Sequence, residues 1–348
     1  MIDAARRLLV LDLRATAWTW ALRPEHVEKV REGAPSGWEV RAVSALTSSD
    51  GDGGAPPSAE SLEAIRDAEV YVGYGITPAL FSAAPRLRWV HSGAAGVASL
   101  LFPEMRSSDV VVTNSAGIHA IPIAEHVVAG LLYLLRCLDL AREQQRTATW
   151  ARDAFVSEGT RVRELGRCKA LVIGAGGIGS EVARTLSAFG TRVTGVRRRP
   201  ELGVPSGFSA VVGPSEWRPL LADTDLLIIT APATPDTRRM ITAAELDELP
   251  RHAIVANVAR GSLLDEEALA ERLEQTRLRG AVLDVFEKEP LPPTSRLWKL
   301  SSVVLTPHVS PVTPDGFWPR QLELLLDNWH RYAAGMPMRN VVDKSAGY

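Results

Sequence analysis

Three short stretches of the sequence end in side chains that can hold an anion or move a proton. Arg260 closes "VANVAR", Asp284, Glu287 and Glu289 crowd "AVLDVFEKEP", and His308 follows Pro307 in "VVLTPH". Each stretch opens on an apolar run of the length of a buried strand. Parallel strands would bring these ends to one edge of a sheet, the edge where open α/β sheets bind ligands. An arginine there can take a carboxylate through two parallel hydrogen bonds and polarise the adjoining carbonyl. A histidine is the natural proton donor near neutral pH, and a neighbouring carboxylate orients the ring and favours its charged form. Such a set suits reduction of a carbonyl beside a carboxylate, provided a hydride is delivered. Taken singly, each residue is better explained as a capped turn, a solvated acid or a core histidine. Their joint placement carries the reading.

A hydride source is encoded upstream. In "KALVIGAGGIGSEVARTLSAFG", Gly174, Gly176 and Gly179 follow a strand and open a helix. The first glycine permits the tight turn, the second lets the backbone approach a pyrophosphate, and the third lets helix and strand pack closely. Gly177 and Ile178 lie in the first helical turn, whose free N–H groups and positive dipole end favour phosphate. A dinucleotide turn of this kind normally meets an acid about 20 residues on, which grips the adenosine ribose. Here the strand "RVTGV" ends instead on Arg197, Arg198 and Arg199. An acid would repel a 2′-phosphate, whereas a guanidinium offers it a planar fork of donors and a fixed charge. The triplet therefore reads as a preference for NADP(H), with Arg197 and Arg198 as the contacts and NAD(H) as the alternative cofactor; three solvated arginines are the plainer account.

The elements that must position these residues alternate. Leu8–Leu13, Glu39–Val43, Glu69–Val72 and Leu87–Val90 are strand-like, with helical stretches near Pro24–Glu32 and Ser58–Asp67. A second alternation runs from "KALVIG" through "RVTGV", "DLLIIT", "AIVANV" and "AVLDV" to "VVLTP", with helices such as "DEEALAERLEQT" between strands. The expected class is α/β with two doubly wound parallel-sheet domains, a Rossmann cofactor domain over 118–309 and a discontinuous flavodoxin-like substrate domain over 1–117 and 310–348. The last segment, mostly one amphipathic helix from about Pro314, has no strands of its own and is expected to pack back on the first domain. "SSDGDGGAPPSAE", Ser48–Glu60, is a mobile surface loop by its glycines and prolines.

At 348 residues the chain is long enough for two cores, and a formal charge of −2 gives no overall field to recruit nucleic acid or an anionic membrane. The two cysteines, Cys137 and Cys168, form neither a disulfide framework nor a zinc site, which fits the cytoplasm. No metal site is expected. "MIDAARRLLVLDLRA" enters a strand directly, without a secretory pattern, and "IPIAEHVVAGLLYLLRCLDL" is broken by charges, reading as a buried helix and not a membrane span.

The order GAGGIG, NVARG, LDVFEKEPLP, TPH, together with "RLRWVHSGAAGV", "AEHVVAGLLYLLR", "APATPDTRRMI" and "NVVDKSAGY", resembles the D-isomer-specific 2-hydroxyacid dehydrogenase family over nearly the whole chain. The arginine cluster resembles its NADP-dependent glyoxylate/hydroxypyruvate reductase branch. The resemblance implies that Arg260 anchors substrate, His308 is the acid/base, Glu289 and not Glu287 pairs with it, and Asp284 lies near the nicotinamide carboxamide. It further implies that backbone N–H groups of Ala95 and Gly96 take the substrate carboxylate, that the cleft closes by a hinge, and that the protein is a homodimer. Tyr74 and Trp318 either line the substrate pocket or pack the core. The expected partner is a small 2-oxoacid or 2-hydroxyacid. Rival readings are a nucleotide-sensing, corepressor-like relative without turnover, which the intact Arg, Glu and His disfavour, and a phosphite or formate dehydrogenase, which the arginines weigh against.

Overall fold

The computed structural model describes residues 7–13, 15–45 and 56–347, so most of the Ser48–Glu60 stretch lies outside the described residues. The chain divides into two compact units, Met1–Ile118 with Val312–Tyr348, and His119–Pro311. Both are α/β with a parallel sheet.

In the first unit the strands are β1 (Arg7–Asp12), β2 (Trp38–Ala42), β3 (Val70–Gly73), β4 (Trp89–Ser92) and β5 (Val111–Asn114). They pair in the order β2-β1-β3-β4-β5, the flavodoxin-like order. Strand side chains alternate between two cores, as the period of two requires: Leu8 and Val10 pack on one face of β1, Leu9 and Leu11 on the other. The second of these cores is closed by Phe317, Trp318, Leu325 and Trp329 from the C-terminal helix Phe317–Ala333. That helix is shorter than the sequence pattern implies. Beyond it Val341 pairs antiparallel with Thr113 of β5.

In the second unit the strands are β6 (Lys169–Ile173), β7 (Arg192–Val196), β8 (Ala210–Val212), β9 (Leu226–Ile229), β10 (Ile254–Asn257), β11 (Gly280–Leu283) and β12 (Val303–Leu305). Their order is β12-β11-β10-β9-β6-β7-β8. The chain works outward from β6 to β8, then returns to β9 on the other side of β6. This reversal is the topological switch point of a dinucleotide-binding sheet.

The apolar stretch expected as one helix is two, Ala120–Leu135 and Leu138–Arg146, bent by 68°. The break falls at Cys137, whose φ of 54° is left-handed. Arg279 helps hold it: its buried guanidinium donates at 2.7 Å to the Leu134 carbonyl, which also accepts from the Cys137 N–H at 3.1 Å, and donates to the Asp139 carboxylate at 3.0 Å. Among the described residues no single helix is long and apolar enough to cross a membrane.

Candidate active site

The glycine turn sits at the switch point. Gly174 has φ +108°, and a Cβ there would stand 2.6 Å from the Ala231 nitrogen at the end of β9. Its carbonyl accepts from Thr230 Oγ1 at 2.8 Å, which fixes the turn against β9. A Cβ on Gly179 would lie 2.0 Å from the Gly174 oxygen, so helix Gly177–Ala188 leaves the turn at glycine-only distance. At Gly176, the helix N-cap, a Cβ would meet nothing within 4 Å. The outer face of the turn is therefore open above the first N–H groups of the helix. These residues fit a pyrophosphate.

Arg197 continues β7 and joins it to β8, its N–H donating to the Val212 carbonyl at 3.1 Å. The residue is half-buried, and its guanidinium donates to the Gly203 carbonyl at 3.1 Å. Arg198 and Arg199 follow on the exposed surface.

Arg260 follows β10. Buried Asn257 shapes this turn, donating to the Arg260 carbonyl at 2.9 Å and accepting from the Ala259 N–H at 3.1 Å. The Arg260 side chain is exposed, and among the described residues its one protein partner is the Ala259 carbonyl, 2.7 Å from Nη1. The rest of the fork is open to a carboxylate. Gly261 packs this turn directly onto the next one: a Cβ there would be 1.8 Å from the Phe286 carbonyl carbon.

That second turn carries the acid pair. Glu289 Oε1 accepts from the Phe286 N–H at 2.9 Å, while Oε2 meets His308 Nδ1 at 2.8 Å. The carboxylate thus holds the proton on Nδ1 and leaves Nε2 as the working nitrogen. Both side chains are partly exposed, so the pair stays accessible. Glu287 does not join it; its carboxylate lies 3.9 Å from Arg238.

Asp284 lies at the end of β11, beneath the turn that carries His308. Its side chain is fully buried, and three protein donors occupy the carboxylate: Thr306 Oγ1 at 2.6 Å, Val309 N at 2.9 Å and Ser310 N at 2.9 Å. The Asp284 carbonyl also accepts from the His308 N–H at 2.8 Å. Thr306 gives its proton to Asp284, so His126, 3.1 Å away on helix Ala120–Leu135, must donate to Thr306 through Nε2. His126, Thr306 and Asp284 together clamp the turn that presents His308. Glu266, at the start of helix Glu266–Glu274, adds a further acid beside Glu287 and Glu289. Burial pushes its carboxyl above the usual carboxylate range, with the neighbouring Glu287, Glu267 and Glu289 charges adding to the effect, while the Glu287 N–H it accepts works the other way.

The first unit carries the loop expected to take the substrate carboxylate. Ala95 and Gly96 are exposed between β4 and β5. Asn114 donates to the Ala95 carbonyl at 2.7 Å and is in turn bound by Asn340 near the C-terminus. Among the described residues, the N–H groups of Ala95 and Gly96 make no protein hydrogen bond. Tyr74 and Trp318 are core residues here. Tyr74 is 5% exposed and donates to the Trp20 carbonyl at 2.6 Å, and burial pushes its phenol far up. Trp318 is stacked on buried His26 with ring centroids 4.1 Å apart.

A Rossmann sheet with a phosphate turn, and an open arginine and a carboxylate-bound histidine at its strand ends, defines an NAD(P)-binding oxidoreductase. Comparison with known proteins narrows the class. The profile of the D-isomer specific 2-hydroxyacid dehydrogenase NAD binding domain matches residues 128–310. The glyoxylate reductase of Korarchaeum cryptofilum is 31% identical over 307 residues, 83% of this chain and 87% of that one. The D-3-phosphoglycerate dehydrogenase of Archaeoglobus fulgidus is 29% identical over 76% of this chain, which spans about half (49%) of that protein. Among solved structures, a D-isomer specific 2-hydroxyacid dehydrogenase from Xanthobacter autotrophicus, in complex with NADPH and MES, superposes with a TM-score of 0.76 at 27% identity, covering 99% of this chain and 100% of that one. The NADPH-dependent glyoxylate/hydroxypyruvate reductase of Sinorhizobium meliloti, in complex with NADP and sulfate, gives 0.75 at 28% identity, covering 98% and 100%. The chain belongs to the D-isomer specific 2-hydroxyacid dehydrogenase family.

Proposed function

We propose that this dehydrogenase is an NADPH-preferring 2-oxoacid reductase. It acts as a homodimer and converts small substrates such as glyoxylate or hydroxypyruvate to (R)-2-hydroxyacids. The observation that carries the reading is the His308–Glu289 pair, 2.8 Å apart, with Nε2 left free at the strand end. Bound NADPH supplies the hydride. His308 delivers the proton from Nε2 to the developing alkoxide, and Glu289 stabilises the ring as it changes charge. The open fork of Arg260 holds the substrate carboxylate and polarises the carbonyl. Arg197 and Arg198 favour the 2′-phosphate, a preference supported by the lack of any acid at the end of β7 and by the NADPH and NADP complexes of the relatives above.

The test is a panel of 2-oxoacids assayed with NADPH and NADH in parallel, on the wild type and Arg197→Asp. Glyoxylate or hydroxypyruvate should support steady NADPH oxidation, and the variant should swing kcat/KM toward NADH. Tight nucleotide binding without turnover on any 2-oxoacid would favour a nucleotide-sensing role. An unmoved cofactor ratio would return the arginines to the solvent.

A further inference from the structure

In a parallel sheet, all strands begin at the edge opposite their catalytic ends. At that opposite edge of the second unit lies a cavity of about 520 Å³. Its walls come from residues that precede strands: Arg251 and His252 before β10, Arg279 before β11, Lys299 before β12, and Arg161 and Arg163 before β6. The chain as a whole is slightly acidic, so this concentration of cationic side chains in one concavity is local.

The frame of the cavity is built and neutralised. Asp225, 8% exposed, accepts from Arg163 at 2.8 Å and from the Lys169 N–H at 2.7 Å, and lies 2.7 Å from His252 Nε2. Arg279, 7% exposed, is tied to Asp139, yet its Nε and Nη1 are buried without a hydrogen-bond partner. The carboxylate in the lining, Glu274, is taken by Arg296. Three cations are left over. Arg161, Arg251 and Lys299 line the same cavity, are exposed, and among the described residues pair with no carboxylate. Gathering like charges in a concavity costs Coulomb energy, which a bound anion would relieve. A cavity of this volume admits a small molecule, and two guanidinium forks with an ammonium suit several phosphate-type groups better than one.

We infer that the second unit carries a binding site for a multiply charged, phosphate-type anion on the sheet edge opposite its active site. This assignment is independent of the substrate proposed above. The test uses inorganic tripolyphosphate as the probe, titrated calorimetrically into the full chain saturated with NADPH, with sulfate compared at matched ionic strength. Saturable binding at one site per chain is expected, weakened at least tenfold in Arg251→Ala and Lys299→Ala and largely kept in Arg251→Lys. These side chains are exposed, and unchanged NADPH binding would show that the variants fold. The inference is overturned by a lack of saturable binding, by equal affinity in wild type and both alanine variants, or by sulfate binding as tightly as tripolyphosphate.

Discussion

His308 holds a backbone φ of 54°, a left-handed conformation that costs a non-glycine residue roughly 1–2 kcal/mol. Something must hold it there, and the clamp centred on Asp284 does so from beneath. A buried carboxylate that accepts three hydrogen bonds contributes on the order of 1.5–3 kcal/mol for each one lost. Asparagine would keep one acceptor oxygen and turn an NH₂ group toward donors it cannot satisfy. Asp284→Asn should therefore lower kcat by about tenfold or more while leaving NADPH affinity within about twofold, because the loss acts through the placement of His308. Steady-state kinetics alongside NADPH titration by fluorescence would check this. An effect confined to nucleotide affinity would put Asp284 at the nicotinamide instead. At this scale the sequence is legible where residue types announce chemistry: Arg260, His308 and the acid cluster of Asp284, Glu287 and Glu289 stand out, and the choice of Glu289 rests on the family resemblance. Thr306, His126, Asn257 and Glu266 do not, because each acts through a partner that only folding supplies; His126 and Thr306 are 180 residues apart.

The helix–strand alternation was readable because buried parallel strands are apolar on both faces. β5 and β8 are less legible for different reasons: β8 is a three-residue, half-buried edge strand, while β5 is a buried edge strand that ends on the polar pair Thr113 and Asn114. The break at Cys137 was hidden for a different reason: the residue that caps it, Arg279, is remote in sequence. The glycine turn is the element whose parts can be tested separately. Gly179→Ala drives a methyl against the Gly174 oxygen, so helix and turn must separate; stability should fall by about 1–3 kcal/mol and NADPH affinity with it. Gly176→Ala meets no protein atom, so its melting temperature should match the wild type while NADPH binding weakens at least tenfold. Thermal melts paired with NADPH titrations distinguish the two. Normal nucleotide binding by Gly176→Ala would mean that the pyrophosphate does not lie over this turn.

Across the whole molecule, the two units respond to acid through different chemistry. In the first, burial holds His91 down to about 3, and burial together with the Arg23 charge holds His26 at about 4. Both stay neutral in the fold but take up a proton near pH 6.5 once unfolded. Their effect on stability is therefore constant above about pH 6.5, and stability falls as the pH drops from there toward 3–4. Each histidine contributes a slope of about 1.4 kcal/mol per pH unit within that window. Asp12, whose carboxyl burial raises, acts in the opposite sense, gaining stability as the pH falls toward the ordinary aspartate range. In the second unit carboxylates respond instead. Asp225 and Asp265 are held below their ordinary range, because hydrogen bonds and the Arg163 and Arg239 charges outweigh burial. That stabilisation is complete above about pH 4 and disappears only below it. Lowering the pH from 7 to 5 should thus weaken the first unit while sparing the second. Hydrogen exchange should show protection lost first in peptides from β1 to β5 and the C-terminal helix. Tryptophan fluorescence should follow the same transition, since Trp18, Trp20, Trp38, Trp89, Trp318 and Trp329 all lie in the first unit. Loss of protection in both units in step would show that the buried histidines do not set the acid limit.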